Sequence, residues 1–179
     1  IADKSADISL EDTIEDEEMV VTISHTGYIK RSAVDQRRAQ RRGGKGKTGM
    51  KTKEEDFVEQ LFIASTKDYL LCFTDAGRMY WLKVYEIPEG KRATKGKSIM
   101  NFISLAADEK VTSILPVPKG AALDASSVVF VTEAGIVKRV AARSFSDVRR
   151  SGIIAINLKK GDKLVSANHA AEGDTVSIV

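Results

Sequence analysis

One thirteen-residue pattern runs through the chain three times, and recurrence of this kind commits a sequence to a repeat architecture before any residue has a role. Met19 to Arg31 (MVVTISHTGYIKR) aligns position by position with Tyr69 to Trp81 (YLLCFTDAGRMYW) and with Ser127 to Arg139 (SVVFVTEAGIVKR). Each copy reads as an apolar strand, a polar turn with glycine where a positive φ is required, and a second strand, so each is a hairpin. The turn glycines Gly27, Gly77 and Gly135 lie 50 and then 58 residues apart.

Two further anchors follow every hairpin. Gly46-Lys47-Thr48, Gly96-Lys97-Ser98 and Gly152-Ile153-Ile154 form the first set, and Val58 to Leu61, Val111 to Ile114 and Leu164 to Ala167 the second, each of the latter a short strand leading toward the next copy. Roughly fifty residues and four strands per repeat is the spacing of a β-propeller blade. Near-continuous apolar runs in the hairpins suit strands buried on both faces, and no stretch sustains helical periodicity. The expectation is an all-β, propeller-like fold of four-stranded blades, incomplete in this chain. Residues 1–18 read as an acidic leader and 19–179 as the partial propeller. Its blades fall at about 19–66, 67–118 and 127–170, and the first strand of a fourth at about 174–179.

Charge is segregated along the chain. The first eighteen residues carry eight acids and one base, and the remainder 27 bases and 17 acids. That acidic start is the opposite of a basic, apolar targeting segment, and no apolar run approaches the roughly twenty residues of a membrane span. A single Cys and two His fall short of a disulfide framework or a structural zinc site, so a reducing cytoplasm is expected, with no metal and no cofactor. Lys30 to Lys53 holds ten bases against one acid and draws polyanions such as nucleic acid or anionic lipid. A solvated charged face is the plain alternative. Within this stretch stands Gln40-Arg41-Arg42-Gly43-Gly44-Lys45-Gly46, with Arg37 and Arg38 before it and Lys47 after it. Arg and Lys donate to phosphate oxygens, and the glycines let backbone N–H groups approach an anion. Lys91, Arg92, Lys95 and Lys97 occupy the corresponding position of the second repeat, and Arg143, Arg149 and Arg150 that of the third. Lys138 and Arg139, on a hairpin strand, face either a neighbouring blade or solvent.

The heptad, placed after a strand-turn-strand repeat, resembles the box that marks the C-terminal domain of DNA gyrase A subunits. Glu54 to Phe57, Leu71 to Phe73 with Gly77-Arg78, Lys83 to Tyr85 and Thr112 to Val117 resemble the same family, which covers the chain from Asp7 onward. The resemblance implies a β-pinwheel, a ring of about six blades that exchange strands between neighbours, within the usual size of propellers. It implies that the rim wraps duplex DNA through its phosphates with weak sequence preference, so that strand passage introduces negative supercoils. The chain is then non-catalytic: the cleaving tyrosine lies elsewhere in the A subunit, ATP hydrolysis lies in the B subunit of an A2B2 assembly, and there is no membrane partner. Two other readings stand beside this one: the related C-terminal domain of topoisomerase IV, against which the intact heptad argues, and a propeller that binds acidic proteins.

Other candidate sites dissolve on inspection. Gly46-Lys47-Thr48 and Gly96-Lys97-Ser98 lack the earlier glycine of a phosphate-binding loop, since Arg41 and Lys91 stand there. Cys72, inside an apolar strand, reads as a buried structural thiol. His25 reads as a solvated turn residue. None of Tyr28, Tyr69, Tyr80 and Tyr85 follows an arginine as the family's nucleophile does, and all four read as strand residues. Trp81 reads as packed between blades.

Overall fold

The computed structural model describes residues 13–34, 56–91, 93–118, 126–145, 151–171, 173–175 and 177. Among these the chain is all-β. The first hairpin is β1 (Glu18–Ser24) and β2 (Tyr28–Ala33), followed by β3 (Val58–Ser65). The second is β4 (Tyr69–Thr74) and β5 (Arg78–Lys83), followed by β6 (Lys97–Ser98) and β7 (Val111–Val117). The third is β8 (Ser126–Thr132) and β9 (Val137–Ala141), followed by β10 (Ile153–Ile154) and β11 (Leu164–Ala171). The predicted hairpins and return strands are therefore present, and β1, β4 and β8 are buried along most of their length. Both faces of each are covered, which is why their sequences do not alternate.

Chain contacts divide the molecule into two compact units, one from Ile1–Tyr69 with Lys83–Phe102 and one from Leu70–Leu82 with Ile103–Val179. The first contains one sheet, in the order β3-β1-β2-β6. The second contains two, β10-β5-β4-β7 and β11-β8-β9. In both four-stranded sheets the fourth strand comes from the following repeat. β6 pairs with β2 through Tyr28↔Ser98 and Ile29↔Lys97, and β10 pairs with β5 through Ile154↔Arg78 and Ile153↔Met79, which is the same register moved on by one repeat.

Glycine at positive φ makes each seam. Gly96 (φ 85°) lies so close to β2 that an added Cβ would stand 2.4 Å from the Ile29 carbonyl oxygen, and Gly152 (φ 72°) so close to β5 that one would stand 2.7 Å from the Tyr80 ring. The turn glycines receive the incoming segment. Gly27 accepts a hydrogen bond from Ile99 N–H (2.8 Å), and Gly77 from Ala155 N–H (2.9 Å).

Inside the second unit, Phe73, Phe130 and Phe145 meet edge to face with centroids 5.3 to 6.1 Å apart, all three fully buried. Burial of each ring contributes about 1.5–3 kcal/mol, and the edge-to-face geometry adds to this. Trp81 packs half-buried against the same core. Cys72 is buried in β4, and burial pushes its thiol up to about 12, consistent with a structural role. Two expectations change. Tyr85 lies in the 3₁₀ turn Val84–Glu86, because Val84 N–H bonds to the Asp68 carbonyl and Ile87 N–H to the Val84 carbonyl, ending β5 before Pro88. Of 174–179, the described residues 174, 175 and 177 belong to no strand, and the others lie outside the described residues.

Candidate nucleic-acid interface

The basic segment of the second repeat is held in place by β2 of the first. Arg31 donates from its backbone N–H to the Pro88 carbonyl (3.0 Å) and from Nε to the Ile87 carbonyl (2.7 Å), and its own carbonyl accepts from Gly90 N–H (2.9 Å). Lys30 follows the same segment further. It is buried, 2% exposed, and its Nζ donates to the carbonyls of Lys91 (3.2 Å) and Thr94 (2.9 Å). Thr94 closes the turn by donating to the Lys91 carbonyl from both N–H (2.9 Å) and hydroxyl (2.7 Å). Lys30 and Arg31, which composition placed in an anion-attracting stretch, are therefore internal struts, because the next repeat folds over them.

What the struts display is basic. Lys91 and Lys97 are exposed and, among the described residues, paired with no carboxylate. Lys97 opens β6 and not a helix, which disposes of a phosphate-binding loop of the nucleotide type. Lys95 is half-buried with its ammonium 3.6 Å from the centroid of the Tyr28 ring, a cation–π contact that sets its direction. Three of the four basic residues expected in this repeat, Lys91, Lys95 and Lys97, thus lie on one segment seated against β2, and Arg92 lies outside the described residues. Arg143 is exposed in the 3₁₀ turn Ala142–Phe145 of the other unit. Arg37, Arg38, Gln40, Arg41, Arg42, Gly43, Gly44, Lys45, Gly46, Lys47, Arg149 and Arg150 lie outside the described residues. Lys138 and Arg139 are exposed on β9.

Sequence reasoning passed over Arg78. It holds the hairpin position of Tyr28, is exposed, donates from its guanidinium to the Ser151 carbonyl (3.4 Å) and lies 5.7 Å from the Tyr80 ring. At the first seam the cation comes from the incoming segment, Lys95 on Tyr28. At the second it comes from the hairpin, Arg78 on Ser151. The signal available was the alignment of residues 28 and 95 with 78 and 151. His25 sits in the β1–β2 turn, stacked on Phe57 at 4.9 Å and 3.3 Å from Glu59. Among the described residues no group of three or more His, Cys, Asp or Glu could hold a metal ion, and no helix is long and apolar enough to cross a membrane.

Comparison with known proteins places this arrangement. The model of the family described as DNA gyrase C-terminal domain, β-propeller, matches residues 18–65, 68–118 and 126–169, one match for each repeat. The DNA gyrase A subunit of Salmonella typhimurium is 44% identical over 178 residues, covering 99% of this chain and 20% of that protein. Its Haemophilus influenzae counterpart is 48% identical over 164 residues, covering 92% and 18%. The chain thus spans about a fifth of the length of these relatives. Among solved structures, the C-terminal domain of DNA topoisomerase IV superposes with a TM-score of 0.73 at 26% identity, over 90% of this chain and 48% of that one. The DNA gyrase A C-terminal domain gives 0.60 at 23% identity, over 87% and 49%, a likeness of fold. With three matched repeats covering most of its length, the chain belongs to the DNA gyrase C-terminal domain family of β-propellers.

Proposed function

We propose that the chain is the DNA-wrapping part of a gyrase A subunit, binding duplex DNA through its phosphates and bending it so that strand passage by the rest of the enzyme introduces negative supercoils. The observation that carries this reading is the Lys91, Lys95 and Lys97 group, displayed on a segment that four hydrogen bonds from Lys30 and Arg31 fix to the neighbouring repeat. A segment whose backbone is fixed before binding loses little main-chain freedom when it meets a phosphate, so more of its charge goes into contact and bending. Gln40 to Lys47 with Arg37 and Arg38, Arg92, Arg143, Arg149 and Arg150 are further phosphate stations in this proposal. Cleavage, religation and ATP hydrolysis belong to other parts of a cytoplasmic A2B2 enzyme. The chain itself has no catalytic residue and takes no cofactor.

The likeness to the C-terminal domain of DNA topoisomerase IV supports a second reading, the DNA-binding domain of such an enzyme, for which we propose binding without wrapping. One experiment separates the two. The chain is bound to a relaxed circle, the circle is religated, and its linking number is read after the protein is removed. Wrapping shifts the linking-number distribution in proportion to bound protein. Binding without a shift supports the second reading, and affinity that does not fall with salt removes both, since log affinity should fall by about 0.9 per contacted phosphate for each unit of log salt.

A further inference from the structure

We propose that Tyr28 and Lys30 are positioning residues for phosphate contact: from one face of β2 they preset the basic segment of the next repeat, so that DNA affinity at Lys95 depends on a lysine that never touches DNA. The proposal rests on the DNA-binding reading above.

Residues two apart on a strand project to the same side, so Tyr28 and Lys30 act on the segment together. Lys30 reaches 61 and 64 residues along the chain to bond the carbonyls of Lys91 and Thr94. Drawing these two oxygens inward turns their negative ends away from an arriving phosphate, and the ammonium of Lys95, on the residue after Thr94, is set over Tyr28. Gly96 lets the segment lie this close, since a Cβ there would stand 2.4 Å from the Ile29 carbonyl oxygen and 3.0 Å from Lys30 Cβ.

The test measures binding of a mixed-sequence duplex as a function of salt for the wild-type chain, Lys30→Met, Lys95→Ala and the double variant, with melting followed by circular dichroism so that only folded protein is compared. Removing one phosphate contact at 0.15 M salt corresponds to about a fivefold loss of affinity. Lys95→Ala should show that loss. Lys30→Met should show at least as much, with a salt slope shallower by about 0.9 to 1.8, and Lys95→Ala should then cost nothing further. A residue needed only for folding would leave both the slope and the full Lys95→Ala effect in the folded protein. That result, or wild-type binding by Lys30→Met, overturns the inference while leaving the proposed function standing. A wild-type chain that does not bind DNA removes the proposed function and the inference with it. Should Lys30→Met not fold, Tyr28→Leu, which removes the ring and keeps the buried ammonium, takes its place. It should likewise make Lys95→Ala silent, and an undiminished Lys95→Ala effect in that background overturns the proposal.

Discussion

Three carboxylates, each two residues before a return strand, clamp the three hairpin turns. Asp56 Oδ1 accepts from the N–H groups of Thr26 (3.0 Å) and Phe57 (3.0 Å), and its other oxygen from the Thr26 hydroxyl. Glu109 accepts from the hydroxyls of Thr74 (2.6 Å) and Tyr80 (3.2 Å) and from Ala106 N–H (3.1 Å). Asp162 accepts from the N–H groups of Ala134 (3.0 Å) and Lys163 (2.8 Å). Burial pushes the Asp56 carboxyl upward, but the hydrogen bonds from Thr26, Ser24 and Phe57 outweigh it and the net shift is downward. Asp162 is lowered as well, first by the Thr132 hydroxyl. A folded-state value below that of the unfolded chain means stabilisation that is complete above about pH 4 and is lost as pH falls through the lowered value. Melting temperature should therefore be flat from neutral pH to about 5 and fall below 4. Asp56→Ala, which leaves the exposed donors of Thr26 and Phe57 to water, should cost about 0.5–1.5 kcal/mol at neutral pH and remove part of the acid-side slope. An acid-side slope identical to wild type in Asp56→Ala would show that this clamp does not contribute.

At the scale of strands, the seam between repeats is where a substitution distinguishes backbone cost from packing cost. Gly77 and Gly135 hold the same turn position with φ of 77° and 84°, and both belong to the second unit. A Cβ on Gly77 would lie 2.6 Å from the Ile156 carbonyl oxygen, whereas one on Gly135 meets nothing within 4 Å. Gly135→Val should cost the strain of a β-branched residue at positive φ, about 1–3 kcal/mol. Gly77→Val must in addition displace the segment from Ala155 to Leu158 and should cost at least about 2 kcal/mol more, read from urea unfolding of the two variants. Equal losses would mean that the incoming segment does not bear on the turn. The turns themselves were legible because a glycine four residues after the last apolar residue of each run (Ile23, Phe73, Val131) marks the place where a strand reverses. Three features were not legible. Lys30 was counted as surface charge because its burial comes from a segment some sixty residues on, and no local pattern records that. The clamping acids were missed because they alternate between Asp and Glu and sit among other charges, where only their shared distance from the return strand sets them apart. Arg78 was missed for a related reason, since Tyr28 and Ile136 hold its position in the other repeats and the recurrent feature is a cation at the seam, supplied from either side.

For the whole molecule, affinity and bending make different demands on the same charge. The chain is formally +3, yet its first eighteen residues are strongly acidic and the basic excess is concentrated in the repeats. Non-specific attachment needs only enough contacts, and those proposed at Lys91, Lys95, Lys97 and Arg143 would not require the Gln40 to Gly46 heptad. Bending a stiff duplex costs on the order of 1–10 kcal/mol per short site, and that cost is offset only while the duplex is held at both ends of the bend. A station at one end is therefore worth little to binding and much to wrapping. Replacing Arg41, Arg42 and Lys45 together by Ala should leave residual, salt-sensitive binding, with a slope reduced by about 0.9 for each phosphate no longer touched. Placed in the full A subunit with its partner B subunit, the triple variant should lose negative supercoiling while keeping relaxation and strand passage, which on the proposed division of labour reside in other domains. Supercoiling at the wild-type rate would remove these residues from the wrapping path, and relaxation falling in parallel with supercoiling would show that their loss acts on the enzyme as a whole and not on the path of the DNA.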